Sequence, residues 1–188
     1  MELILASASP RRQELLRAAG IPFTVQPANV REEPNPGETP RGYSERLARD
    51  KAVAVWNAVP DHEHKFVLGA DTIVVVDEHI LEKPADVDHA ARMMRMISGR
   101  SHQVITSICL VGSGFEDVNS EVTTVFVNGI TDEEIAEYVA TGEPMDKAGA
   151  YAIQGIASRW IPRIEGDYSN VVGLPIALVY RMLQSREA

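Results

Sequence analysis

The chain holds a single cysteine, Cys109, among its 188 residues. No disulfide can form within it, so the core alone must hold the fold, and the usage suits a reducing cytoplasm. No apolar run approaches the ~20 residues that a bilayer-spanning helix needs. No basic stretch precedes the first short apolar run, so neither a membrane span nor a signal peptide is expected. Positive charge is scarce: 18 Lys and Arg against 27 Asp and Glu give a formal net charge of −9. That argues against a polymeric nucleic-acid partner, whose binding rests on many phosphate–cation contacts. A small anion remains admissible wherever cations gather locally. A P-loop, a Gly-x-Gly-x-x-Gly element and a His-Glu-x-x-His pair are also missing, which removes three common alternatives.

What is present is an interleaving of apolar runs with period 2 and period 3.6. Residues 3–6 read as a short buried strand, followed by a helix with Ser9 as its cap, Pro10 at its first position and Gly20 at its end. Residues 23–25 suggest a second short strand, and "NVREEPNPGETP" an exposed loop. A helix is expected over 40–58 with Thr39 as cap. "FVLGADTIVVVDEHILEKP" reads as strand, bend, strand, turn, with 73–76 buried on both faces. A helix over 88–97 follows, its Met93, Met94 and Met96 assigned to the core. Strands over 104–111 and 118–127 are joined as a hairpin by "GSGFED". Thr131 and Glu134 form a capping box. Residues 145–172 read as mixed loop and short strand, and "GLPIALVYRMLQ" as a closing helix. The expectation is α/β: a mixed twisted sheet flanked by helices, in one domain over 1–188 with two lobes around a central cleft. A chain of this size buries roughly 70% of its unfolded surface, enough for a core without staples.

Several groups carry chemistry. The turn "ASASPRR" sets Ser7, Ser9 and Arg12 at a helix N-terminus, where unpaired N–H groups and the dipole favour an anion, while Arg11 can point another way. The bland reading is a surface cap with solvated arginines. Lys51 lies four residues after Leu47 and four before Val55, on an apolar stripe, where it either snorkels or faces an anion in a cleft. Asp71 in "GADT" stands between two apolar runs, where a carboxylate is costly unless paired or metal-bound. Lys83 in "LEKP" is the expected partner. Glu32 or Glu33 supplies a second carboxylate for a hard cation such as Mg²⁺. "DHEHK" reads as a solvated loop, and His102 either contacts substrate or pairs at the sheet edge.

Seven segments, "LASASPRRQELL", "RLARDKA", "GADTIVVVD", "LEKP", "SGRSHQVIT", "EPMDKAGAYAIQG" and "GDYSNVVGLP", resemble in order the Maf family of nucleotide pyrophosphatases. The resemblance implies hydrolysis of nucleoside triphosphates to monophosphate and pyrophosphate with a divalent metal, Mg²⁺ or Mn²⁺, in the cytoplasm. It implies an α/β fold of the Maf and ITPase type and suggests a homodimer. Arg11, Thr72 and Gln154 match the type that takes dTTP and UTP, in nucleotide-pool house-cleaning. Thr72 and Gln154 offer both donors and acceptors, suited to a pyrimidine's imide edge. Ser7, Ser9, Arg12, Lys51, Lys83 and Lys147 are carried over as phosphate contacts. Glu32 and Asp71 are carried over as metal ligands, with Asp71 also the general base. The early loop departs from the family's form in placing Arg31 before Glu32, and "GIASRWI" departs from the usual glycine-rich stretch. The alternatives are a sister pyrophosphatase for 7-methyl-GTP and a non-catalytic nucleotide-binding regulator of cell division.

Overall fold

The computed structural model describes residues 2–187. The strands are β1 (Glu2–Leu5), β2 (Thr24–Val25), β3 (Lys65–Val76), β4 (His79–Leu81), β5 (Ser101–Gly112), β6 (Phe115–Phe126) and β7 (Arg163–Glu165). The helices are α1 (Pro10–Ala18), α2 (Pro40–Ala58), α3 (Val87–Ile97), α4 (Asp132–Ala140), α5 (Tyr168–Val172) and α6 (Ile176–Glu187). Short 3₁₀ turns cover Glu143–Asp146, Ala148–Ala150 and Ile156–Trp160. The strand order is β2-β1-β3-β5-β6-β7, with β4 also on β3. β1 is parallel to β2 and β3, whereas β4 and β7 pair antiparallel, so the sheet is mixed as expected.

The chain divides into two compact units, each built from non-contiguous segments. One comprises residues 1–72, 106–121 and 173–188; the other comprises 73–105 and 122–172.

In the first unit, strand alternation sorts the core onto two faces. Leu3, Leu5, Leu68, Ala70, Ile108 and Leu110 pack with Leu16 of α1 and with Leu178, Val179 and Met182 of α6. Their neighbours Ile4, Ala6, Val67, Cys109 and Val111 pack with Ala48, Ala52 and Val55 of α2. Thus α1 and α2 cover opposite faces. Gly69 lets α2 approach closely: a Cβ there would lie 2.1 Å from the Ala48 carbonyl oxygen and 2.7 Å from the Ala52 nitrogen. α1 closes on Gly20 at φ +68, with Gly20 N–H on the Arg17 carbonyl and Ile21 N–H on the Leu16 carbonyl, the paired bonds of a Schellman end. Thr39 caps α2 by accepting from Gly42 N–H at 3.1 Å. Ser9 does not cap α1 with its side chain.

In the second unit, β3 turns into β4 through Asp77 and Glu78, both at positive φ, the two-residue geometry that matches strand twist. α3 starts one residue earlier than expected, and Asp86 caps it by accepting from His89 N–H. Met93 and Met94 are core, but Met96 is exposed, because the α3 stripe buries Ala90, Met93, Met94 and Ile97 and turns position 96 outward. The capping box of α4 forms as expected between Thr131 and Glu134. The segment 145–172 contains, besides β7, the end of one 3₁₀ turn, two further 3₁₀ turns and α5. "Strand, bend, strand" is in fact one unbroken β3, because Gly69 serves the close approach of α2 and not a bend.

Candidate active site

β1 is the pivot of the first unit. The chain leaves it through α1 on one face to β2, and leaves β2 through α2 on the other face to β3. Parallel strands with helices departing to opposite faces open a crevice at their carboxyl ends, where open α/β sheets hold ligands. Ser7 follows β1 there, and Asp71 and Thr72 lie in β3, level with it.

Strand parity divides the two. Asp71 shares the α2 face with Val67 and Gly69. On that face Lys51 Nζ donates to Asp71 Oδ1 at 2.7 Å and to Glu32 Oε1 at 2.8 Å. The side chains of Lys51 and Asp71 are 11% and 8% exposed, so this is a buried pair, not a surface one. Lys51 therefore points inward. Asp71 Oδ2 is buried without a hydrogen-bond partner among the described residues. Ser44 Oγ fixes the strand locally by donating to the Asp71 carbonyl at 3.3 Å.

Thr72 shares the face of α1, where Arg12 reaches across. The Arg12 guanidinium donates to Ser7 Oγ (3.0 Å), the Ala70 carbonyl (3.0 Å), Thr72 Oγ1 (3.1 Å) and the Gly173 carbonyl (2.8 Å). Burial lowers its pKa from the ordinary value, against the opposing fields of Asp71 and Glu32. Arg12 thus ties the first turn to β3 and to the start of the last helix. Ser7 Oγ also accepts from Ser9 N–H at 3.3 Å, and Thr72 Oγ1 bonds Thr106 Oγ1 at 3.0 Å. Arg11 is half-buried beside it.

Sequence reasoning missed the anchor of the Glu32 loop. Arg46 of α2 donates to the Glu33 carbonyl at 2.8 Å and grips the Glu38 carboxylate at 2.7 and 2.9 Å. That contact holds the Glu38 carboxyl down to about 2. The signal was an arginine one turn from Tyr43 and opposite an acidic loop; Arg46 also stacks over the Tyr43 ring.

The second unit carries the remaining expected residues. Lys83 is exposed beyond β4 and is not the partner of Asp71; Lys51 holds that place, because α2 packs at Gly69. Lys147 Nζ donates to the Glu143 carbonyl and to Asp146 Oδ1, both at 2.6 Å. Gly149 N–H donates to the Glu82 carbonyl at 3.1 Å, which brings the Lys147 and Lys83 segments together. Gln154 is exposed in a turn after Tyr151. His102 is buried, with Nε2 2.7 Å from Tyr151 Oη; burial pushes it down to about 4.

The donor set fits a divalent cation completed by substrate. Asp71 Oδ2 is an orphaned buried carboxylate oxygen, and Glu32 is joined to Asp71 through one ammonium. Mg²⁺ binds through one or two carboxylates plus phosphate oxygens and waters. Among the described residues no group of three or more His, Cys, Asp or Glu is gathered.

The architecture is a mixed α/β fold: the Ham1 protein of Staphylococcus aureus superposes with a TM-score of 0.51 at 13% identity, covering 99% of this chain and 100% of that one. At that identity the likeness shows the fold alone. The chain belongs to the Maf family, described as Maf-like protein, which matches residues 2–186. It is 62% identical over 184 residues to a dTTP/UTP pyrophosphatase of Koribacter versatilis (strain Ellin345), covering 98% of this chain and 94% of the relative. It is 50% identical to a dTTP/UTP pyrophosphatase of Syntrophomonas wolfei subsp. wolfei, covering 97% and 96%. Among the described residues no helix is long and apolar enough to cross a membrane.

Proposed function

We propose that this chain hydrolyses dTTP and UTP to the monophosphate and pyrophosphate, with a divalent metal held by Asp71 and Glu32. The observation that carries the reading is the Asp71 carboxylate: buried, one oxygen held by Lys51 and the other without a partner among the described residues. The names of the relatives support the substrate class. A bound Mg²⁺ or Mn²⁺ would offset phosphate charge and favour cleavage.

The rest is work for the chain's own residues. The Asp71 carboxylate takes the proton of a water as that water attacks the α–β anhydride and the bridging bond breaks toward pyrophosphate. Lys51 keeps the carboxylate oriented and adds positive charge where phosphate oxygens bind. The N–H groups of the first turn and the hydroxyls of Ser7 and Ser9 serve as phosphate donors. Most Arg12 donors are spent within the protein, so Arg12 contributes chiefly field and rigidity. Lys83 and Lys147 are assigned to phosphate contacts, and Arg11, Thr72 and Gln154 to base selection.

The test is product analysis with dTTP, UTP and 7-methyl-GTP in Mg²⁺ or Mn²⁺. Stoichiometric pyrophosphate and monophosphate from dTTP and UTP are expected. Binding without turnover, release of inorganic phosphate, or preference for 7-methyl-GTP would overturn the reading.

A further inference from the structure

Gln154 occupies the third position of a four-residue turn, Ala152 to Gly155, closed by Gly155 N–H on the Ala152 carbonyl at 3.1 Å. The turn is clamped from both ends. Before it, buried Tyr151 is bonded to His102 and meets that ring edge-on at 5.3 Å. After it, Ile156 N–H donates to both oxygens of Glu143, at 3.0 and 3.2 Å. Tyr138 Oη donates to Glu143 Oε1 at 3.1 Å. A Cβ at Gly155 would lie 2.1 Å from that same oxygen. The carboxylate therefore occupies the space that any other residue's side chain would need.

The backbone of Glu143 is fixed as well. Its N–H donates to Thr141 Oγ1 at 3.1 Å, and its carbonyl accepts from Lys147 Nζ at 2.6 Å. One residue thus ties the Gln154 turn to the Lys147 segment. Hydrogen bonds to a carboxylate are roughly twice as strong as neutral ones, so this clamp holds the turn more tightly than a neutral acceptor would.

We propose that Glu143 is the positioning residue for base selectivity, fixing the turn that presents Gln154. This rests on the reading of Gln154 as the side chain that meets the base. Uracil and cytosine present opposite donor–acceptor patterns at ring position 3 and at the substituent on position 4, so an amide presented from a fixed turn favours one of them, whereas an amide on a loose turn adapts to both.

The experiment measures kcat/KM for UTP and CTP in wild type, Gln154→Ala, Glu143→Ala, Glu143→Gln and the double variant Glu143→Ala/Gln154→Ala. Gln154→Ala is expected to lower the UTP:CTP ratio by about tenfold. Glu143→Ala should lower it comparably, mainly through KM for UTP, with kcat changed by less than about threefold. The double variant should be no worse than Gln154→Ala alone, because an unpositioned residue and a missing one share one effect. Glu143→Gln, which keeps one acceptor oxygen, should recover most of the ratio. An unchanged ratio in Glu143→Ala, or losses that multiply in the double variant, overturns the proposal while the reading of Gln154 stands. An unchanged ratio in Gln154→Ala overturns both. If Glu143→Ala does not fold by circular dichroism, Ile156→Pro, which removes the N–H that Glu143 holds, alone and combined with Gln154→Ala decides by the same multiplication rule.

Discussion

Lys51 Nζ lies 2.7 Å from Asp71 Oδ1, and both side chains are almost wholly buried. One ammonium also meets Glu32, so a helix, a strand and a loop are joined at a single point. Two carboxylates would repel each other there without it. Strand alternation and the spacing of α2 leave Lys51 and Asp71 facing each other across the Gly69 contact.

Removing one partner of a buried pair strands the other, which typically costs 3–5 kcal/mol. Lys51→Met should therefore destabilise the protein by about 3 kcal/mol in urea unfolding at neutral pH. Lys51→Met/Asp71→Asn should recover a large part of that loss, since the buried carboxylate is then gone and the Glu32 carboxylate left without its ammonium is half-exposed to water. Additive losses in the double variant would mean that the pair is not coupled.

Gly69→Ala places a methyl 2.1 Å from the Ala48 carbonyl oxygen, so α2 must shift. Overpacking of this kind costs about 3 kcal/mol at the upper end of its range. Turnover should fall in parallel, because Lys51 moves with the helix. Gly20→Ala is the control: its φ is +68 but nothing lies within 4 Å, so a cost of about 1 kcal/mol and normal turnover are expected. Equal effects of the two would contradict the packing argument.

Burial holds the folded pKa of His102 at about 4, below the ordinary 6.5. The unfolded chain then binds a proton that the folded chain refuses between those values. Stability is full above pH 6.5 and falls as pH drops toward 4, by about 2 kcal/mol at pH 5 from this residue. Comparing unfolding of wild type and His102→Gln at pH 7 and pH 5 checks it. The variant should lose less on acidification; an equal loss would contradict the assignment.

Much of this was legible in the residues. The periods of 2 and 3.6 gave the order of elements, and Lys51 on an apolar stripe with Asp71 between apolar runs marked two unusual charges. Their pairing was not legible, because it depends on how α2 registers on β3. Residues 48, 51, 52 and 55 share one helix face, and 67, 69 and 71 one strand face; Gly69 opposite alanines was the available signal. Without it, chain proximity alone points to Lys83 as the partner of Asp71. Ser9 stands at the cap position, but its side chain accepts no first-turn N–H; the serine that binds backbone there is Ser7, which accepts the Ser9 N–H. The first turn marks Arg12 as a ligand for phosphate, yet besides Ser7 its acceptors Ala70, Thr72 and Gly173 come from segments far apart in the chain, which no local pattern reports. Glu143 escaped notice for the same reason: its partner N–H is 13 residues away.

The most direct measurement is pyrophosphate release from dTTP by Asp71→Asn with saturating divalent metal. Asn keeps an acceptor for Lys51 but cannot take the proton of a water. Turnover lower than wild type by about 10²–10⁴, with unfolding still cooperative, is the expected result. Near-wild-type turnover would contradict the account, since the buried, unpartnered oxygen of Asp71 would then have no part in the reaction.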